Sequence, residues 1–389
     1  MRIGIDYTSA ARQRAGIGRY TRELVAALLP LKDAHQYTLF AAAGGLEDDW
    51  RTEVQRENVR VRTLPLSDDW LARLWHRLRL PIPVEVVTGS LDVFYSPDFA
   101  LPPTVGSTRT LLTVHDLSFM YHPDAFVPSL LRYLERVVPR SIARADLVLA
   151  DSDHTRADLI TLFDVSPELV KVIYPGVDSR FQPQPAPGER ERLRERYGIG
   201  DEPYVLSVGT LQPRKNYVHL IKGFIQFQAE TGTTAELLIA GGRGWLYDDI
   251  FAEAQRRENV RLLGFVEDED LPALYRGATL FAFTSLYEGF GLPVLEAMAC
   301  ATPVICSNTS SLPEVAGDSV LLVDPQNPDE LTGAMIRAFS EEGLREEMVD
   351  RGLARAAGFT WERSARQLLG VIESFVEASR PVPDGKAHQ

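Results

Sequence analysis

The sequence predicts an α/β protein built from two doubly wound domains, each a parallel sheet covered by helices, with a cleft between them. Three observations carry that expectation. The first is length: 389 residues exceed the roughly 250–300 at which one core stops growing. The second is a regular alternation of short apolar runs with helical stretches, the pattern of parallel sheets covered on both faces. The third is a break after residue 174, where Pro175, Pro183, Pro185 and Pro187 interrupt the alternation before it restarts.

In chain order, 2–7 reads as a buried strand. A polar loop with Gly16 and Gly18 follows, and then Tyr20, Leu24, Ala27 and Leu28 recur at helical spacing. Strands are expected at 37–42, 59–64, 92–95, 110–114 and 147–150, with a helix over 130–145. A charged helix over 189–197 follows the prolines. The second half places strands at 204–208, 236–240, 260–263, 280–283 and 303–306. Its helices are expected at 216–229, 249–257, 268–276, 293–300, 328–340, 344–357 and 361–378. The domains are therefore 1–180 and 201–358, joined by 181–200. Doubly wound sheets bind ligands beyond the carboxyl ends of their strands, so the chemistry is expected in the cleft.

Composition narrows the function. The chain is 45% hydrophobic and 24% charged, as in an average soluble protein, and only 381–389 is expected to be unstructured. The net charge of −13 makes a general nucleic-acid binder a poor reading. That charge is uneven: 21 basic against 23 acidic residues in 1–180, a net of −2, and 20 against 31 in 181–389, a net of −11. Cys300 and Cys306 fit neither a zinc pattern nor a disulfide framework, and buried thiols in a reducing compartment are expected. With neither a leader-like start nor an 18-residue apolar run, the expected location is cytoplasmic.

The densest constellation is Glu288-Gly289-Phe290-Gly291-Leu292-Pro293 with Glu296, between a strand and a helix. Proline suits a first helical turn. The free N–H groups and positive dipole end of that turn suit an anion such as a diphosphate. Two carboxylates beside an anion site need another task, and accepting from sugar hydroxyls is one. The plainer alternative is a glycine turn with Glu296 on the surface. The second constellation runs from Gly209 to Arg214, Lys215 and Asn216, again between strand and helix. Two cations at a helix N-terminus oppose its dipole, so a bound phosphate would relieve them; an exposed basic turn is the alternative.

Weaker signals accompany these. Arg12, Arg14, Gly16, Gly18 and Arg19 form a loop that could approach an anion or be merely mobile; the third glycine of a dinucleotide fingerprint is missing. His115, ending a strand before Asp116, could exchange a hydrogen bond with a sugar hydroxyl, or be a structural histidine. His154 is read as structural or secondary. Over 70–80, Leu71, Leu74, Trp75 and Leu78 share a helical face with Arg73, Arg77 and Arg79 off it. Packing on its own domain is the preferred reading, and peripheral contact with an anionic membrane the alternative.

At these residues the chain resembles the retaining glycosyltransferases of family 4, which have the GT-B fold of two Rossmann-like domains. The resemblance spans nearly the whole chain. It runs through Gly16-Ile17-Gly18-Arg19-Tyr20, the stretch from Thr113 to Phe119, Pro175 to Asp178, Gly209 to Asn216, the Glu-x7-Glu element from Glu288 to Glu296, and Ser307 to Gly317. It implies that 1–180 binds the acceptor and 201–358 the nucleotide-sugar donor, with 361–378 crossing back onto the first domain. Arg214 and Lys215 would hold the donor diphosphate, and Glu288 would lie near the transferred sugar. Gly289, Phe290, Gly291 and Leu292 would bring backbone to sugar and phosphate. Glu296 would bind the ribose, and His115 would lie near the donor sugar. Gly16, Gly18 and Gly209 would belong to the loops around the phosphates. No metal and no cofactor beyond the nucleotide-sugar co-substrate is implied. The overall texture is similar to bacterial GDP-mannose-dependent mannosyltransferases, with a saccharide or lipid-linked acceptor. A UDP-sugar-dependent transferase is the nearest alternative; a nucleotide-sugar epimerase or a non-catalytic sugar-nucleotide binder are those of other classes.

Overall fold

The computed structural model describes residues 1–13, 16–44 and 50–377; Arg14, residue 378 and the segment 381–389 lie outside them. Among the described residues the strands form two wholly parallel sheets. The first contains β1 (Arg2–Asp6), β2 (Gln36–Ala42), β3 (Val59–Leu64), β4 (Val93–Ser96), β5 (Arg109–Val114), β6 (Leu147–Ala150) and β7 (Val170–Val172), in the order β3-β2-β1-β4-β5-β6-β7. The second contains β8 (Tyr204–Val208), β9 (Glu236–Ala240), β10 (Val260–Gly264), β11 (Leu280–Phe283), β12 (Val304–Ser307) and β13 (Leu321–Val323), in the order β10-β9-β8-β11-β12-β13. Order reverses direction at β1/β4 and at β8/β11, and a doubly wound sheet opens its binding crevice at such switch points.

The central strands of each sheet are mostly apolar on both faces, because helices cover both. Ile3, Ile5, Leu39, Tyr95 and Leu111 pack on one side of the first sheet; Phe40, Phe94, Leu112 and Val148 pack on the other. In the second sheet Leu206, Leu238, Phe281 and Phe283 face one core, and Val205, Leu237, Ile239 and Ala282 face the other. The helix Trp361–Glu377 belongs to the first domain's core, where Trp361, Ala365, Leu368 and Ile372 lie against Tyr20, Leu24 and the first sheet.

Most expected elements appear within a residue or two. The segment 70–80 differs. Its helix starts earlier, at Asp68, where Ser67 caps the first turn by accepting from the Trp70 N–H at 3.4 Å. It widens into a π-turn over Ala72–Arg77 and stops, with Arg79 at φ 57°. Pro81 and Pro83 disfavour helical conformation just before them, which accounts for the stop. Leu71 is buried in its own domain, while Trp70, Leu78 and Leu80 are exposed. The short edge strands β7 and β13 and the helix Asp153–Phe163 were not expected from the sequence.

Candidate active site

The carboxyl ends of both sheets open onto one cavity of about 1420 Å³ between the domains. Gly16, Arg19 and His115 line it from the first domain, and Gly209, Arg214, Lys215, Glu288, Gly289, Phe290, Gly291, Leu292 and Glu296 from the second. Gly18 does not line it. A Cβ there would meet the carbonyl oxygens of Gln13 at 2.2 Å and Ser9 at 2.6 Å, so this glycine serves close packing between the first two helices.

The anion-binding end is built on β11. After the strand, the chain turns at Gly291, φ 114°, a left-handed conformation that side chains resist, and enters the helix Leu292–Ala299 with proline in its first turn. Ser310 and Ser311 fix the loop. Glu288 N–H donates to Ser310 Oγ at 2.9 Å, and Ser311 Oγ donates to the carbonyls of Glu288 and Phe290 at 2.9 and 2.8 Å. Arg214 and Lys215 sit in a tight turn just before the helix Tyr217–Thr231, not inside it. Their side chains are only 11% and 10% exposed, so the exposed-turn reading fails. Lys215 Nζ meets Glu288 at 2.6 Å and Arg214 meets it at 3.0 Å. Lys215 also lies over the ring of Phe283.

Glu288 therefore supplies the compensation that the paired cations require. Burial works against its ionisation, but Arg214 and Lys215 outweigh burial and hold its carboxyl down at about 2. Burial likewise lowers the basicity of Lys215 despite Glu288. Each cation keeps N–H groups beyond those spent on Glu288, because a guanidinium has five and an ammonium three.

Glu296 is buried rather than superficial. Arg19 reaches it across the cleft at 2.9 Å, and the Tyr275 hydroxyl donates to it at 3.0 Å. His115 has both ring nitrogens engaged within the first domain: Nδ1 lies 2.6 Å from Asp151 and Nε2 3.0 Å from the Pro97 carbonyl. Burial opposes its protonation, but Asp151 overrides burial and raises it to about 9. The group is thus a fixed imidazolium, with neither nitrogen left over for a sugar hydroxyl. His154 sits 3.4 Å from Asp158 beside Tyr287 and does not line the cavity.

Sequence reasoning missed what holds the two walls together. Gly289 has no room for a Cβ, which would stand 1.8 Å from the His115 carbonyl oxygen. Thr155 Oγ donates to the Gly289 carbonyl at 3.3 Å, and the Tyr287 hydroxyl donates to Asp158. The Glu314 carboxylate accepts from the N–H groups of Asp153 and His154, capping a first-domain helix from the second domain. Trp245 Nε1 donates to the Ala125 carbonyl at 2.7 Å. Among the described residues no group of three His, Cys, Asp or Glu side chains is placed to hold a metal ion, and no helix is long and apolar enough to cross a membrane.

Twin doubly wound domains closing on one cleft are the architecture of the GT-B fold, and paired cations with a helix N-terminus give that cleft an anion-binding end. Comparison with known proteins agrees: residues 189–355 match the family described as glycosyl transferases group 1, and residues 14–181 match Glycosyltransferase Family 4. The chain belongs to glycosyltransferase family 4. It is 33% identical over 370 residues to the O-antigen chain mannosyltransferase B of Escherichia coli, covering 92% of this chain and 96% of that protein. A serotype-specific mannosyltransferase, WbdA, of the same organism is 29% identical over 72% of this chain and 35% of its own length. Among solved structures, a sucrose-phosphate synthase from Thermosynechococcus elongatus superposes with a TM-score of 0.75 at 21% identity, over 97% of this chain and 100% of that one. At that identity the likeness carries the fold.

Proposed function

We propose that the protein is a retaining mannosyltransferase that takes mannose from GDP-mannose and adds it to a saccharide or lipid-linked acceptor in polysaccharide or glycolipid synthesis. One observation carries the chemistry: Arg214, Lys215 and the N-terminus of Leu292–Ala299 converge on the same end of the cleft as Glu288. Breaking a sugar–phosphate bond builds negative charge on the departing diphosphate, and donors already aimed at it need little reorganisation. Those cations do the work that a metal does elsewhere, so chelation by EDTA should leave the transfer rate unchanged; a rate restored only by magnesium would overturn this. The acceptor attacks from the face the diphosphate leaves, and a departing phosphate oxygen takes its proton, which retains the anomeric configuration. Glu288 faces the transferred sugar, Glu296 the ribose, and the backbone of Gly289–Leu292 the sugar and phosphates. Gly16 and Gly209 flank the phosphates. The His115 imidazolium contributes a fixed positive charge to the opposite wall.

The mannose assignment draws support from the two mannosyltransferase relatives. Calorimetry against GDP, UDP, ADP and dTDP tests the donor base, followed by transfer with sugars of the winning nucleotide and NMR of the product anomer. GDP binding with α-product from GDP-α-mannose is expected. Preference for UDP would sink the donor assignment, and binding of none would sink the enzyme reading. A cytoplasmic setting, with peripheral contact of 70–80 on an anionic membrane, fits the exposed Trp70, Leu78 and Leu80.

A further inference from the structure

The acceptor half of the cleft carries an unresolved electrostatic conflict. Arg73 and Arg77 stand one turn apart on the segment Asp68–Arg77, and Arg132 and Arg136 stand one turn apart on the helix Pro128–Arg144. All four line the cavity from the first domain. Like charges at this spacing repel on a helix. Among the described residues none of the four has a carboxylate within ion-pair distance, whereas Arg12, Arg19, Arg214 and Lys215 around the same cavity all do. Of the acids on this wall, Asp68 is taken by Arg12 at 3.0 Å, and Asp69 lines the same cavity without coming within ion-pair distance of any of the four. Arg140, a further turn along, feels Arg79 and Arg136 as well: desolvation and their repulsion both lower its basicity. His76, on the same wall, adds no charge near neutrality, because burial and then Arg144 pull it down to about 4. Arg73 is braced over the ring of Trp70 at 5.0 Å, so its guanidinium is partly ordered.

Two repelling arginine pairs facing one space suit an anion with several oxygens, and guanidinium groups match phosphate bidentately. We propose that Arg73, Arg77, Arg132 and Arg136 form a phosphate subsite, so that the acceptor is a sugar bearing a phosphate ester. This rests on the glycosyltransferase reading and sharpens it. The subsite lies in the first domain, separate from the Arg214–Lys215 pair of the second.

The test uses the full chain saturated with GDP, so that the donor site is filled. Two probes distinguish the source of the phosphate. Mannose 6-phosphate, with mannose as its control, represents a soluble ester. Vesicles of equal phosphatidylcholine and phosphatidylinositol, with phosphatidylcholine alone as control, represent an ester anchored in lipid. Binding of either phosphate probe but not of its control is expected, weakening as salt rises. The double variant Arg132→Ala/Arg136→Ala should bind it at least tenfold more weakly with GDP affinity unchanged, and Arg132→Lys/Arg136→Lys should fall between. Mannose 6-phosphate alone would assign a soluble acceptor, and the vesicle alone a lipid-linked one. If GDP binds and neither probe does, or if the alanine variant binds as well as the wild type, the subsite is refuted while the donor reading stands. If GDP itself fails to bind, it is the donor reading that fails.

Discussion

Lys215 and His115 show how one buried charge differs from another. Lys215→Ala removes one of two partners of Glu288, and Arg214 remains to hold the carboxylate, so the cost in stability should be modest, about 1–2 kcal/mol. Its cost in turnover should be far larger, about 10²–10³, because a donor aimed at the developing charge is lost. Initial rates beside urea unfolding measure both, and near-normal transfer would remove the main electrostatic element of the mechanism. His115 makes a prediction in pH. Its folded-state basicity is raised to about 9 by Asp151. Its stabilising contribution is therefore complete below the ordinary value of 6.5 and is lost as pH rises through about 9. Urea midpoints of the wild type should fall between pH 7 and 10, and those of His115→Gln should fall less; parallel curves would refute the ion pair. Asp6 carries the opposite lesson. Burial raises its carboxyl to about 6, so ionising it at neutral pH costs stability. Asp6→Asn keeps an acceptor for the Thr8 N–H and should stabilise the protein at pH 8 by about 1–3 kcal/mol, with no gain below pH 4.

At the scale of elements, the two glycines of the strand–loop–helix unit after β11 do different work. Gly291 needs its left-handed φ of 114°, and a Cβ there would stand 2.6 Å from Leu312. Gly291→Ala should tilt the start of the helix and raise the donor KM at least tenfold, with a stability loss of about 1–3 kcal/mol. Gly289 is pressed on the backbone of the other domain. Gly289→Ala should part the domains, which small-angle scattering would register as a larger radius of gyration; an unchanged radius would refute the wedge. The sequence marks both glycines as places where backbone comes close to something. It does not separate approach to a ligand from approach to another domain, because both need only a missing Cβ. The strands of the sheet centres were legible from their apolar runs. The edges β7 and β13 were not, since three residues with an exposed member carry too little pattern. The segment 70–80 was read as one even helix because periodicity does not report a widened turn.

At the scale of the molecule, two domains, a cleft and the phosphate-facing loops could be read from the chain. The contacts that fix one domain on the other could not. Arg19 with Glu296, Glu314 with the N–H groups of Asp153 and His154, and Trp245 with Ala125 join residues far apart in sequence, each unremarkable in its local surroundings. The helix Trp361–Glu377 ties the halves further, continuing from the second domain while filling the core of the first. Leu368 is fully buried there, and Leu368→Ala should cost about 2–5 kcal/mol. The loss should appear in unfolding of the first domain, followed by a fluorescent label on that domain; an effect confined to the second would contradict the packing. The same helix imposes an order on biosynthesis. Tyr20 and Leu24 are made long before Ala365, Leu368 and Ile372, which pack in the same core. At ordinary translation speeds of about 5–20 residues per second, the roughly 350 residues between them take on the order of twenty to seventy seconds, an interval in which that core lacks its last helix.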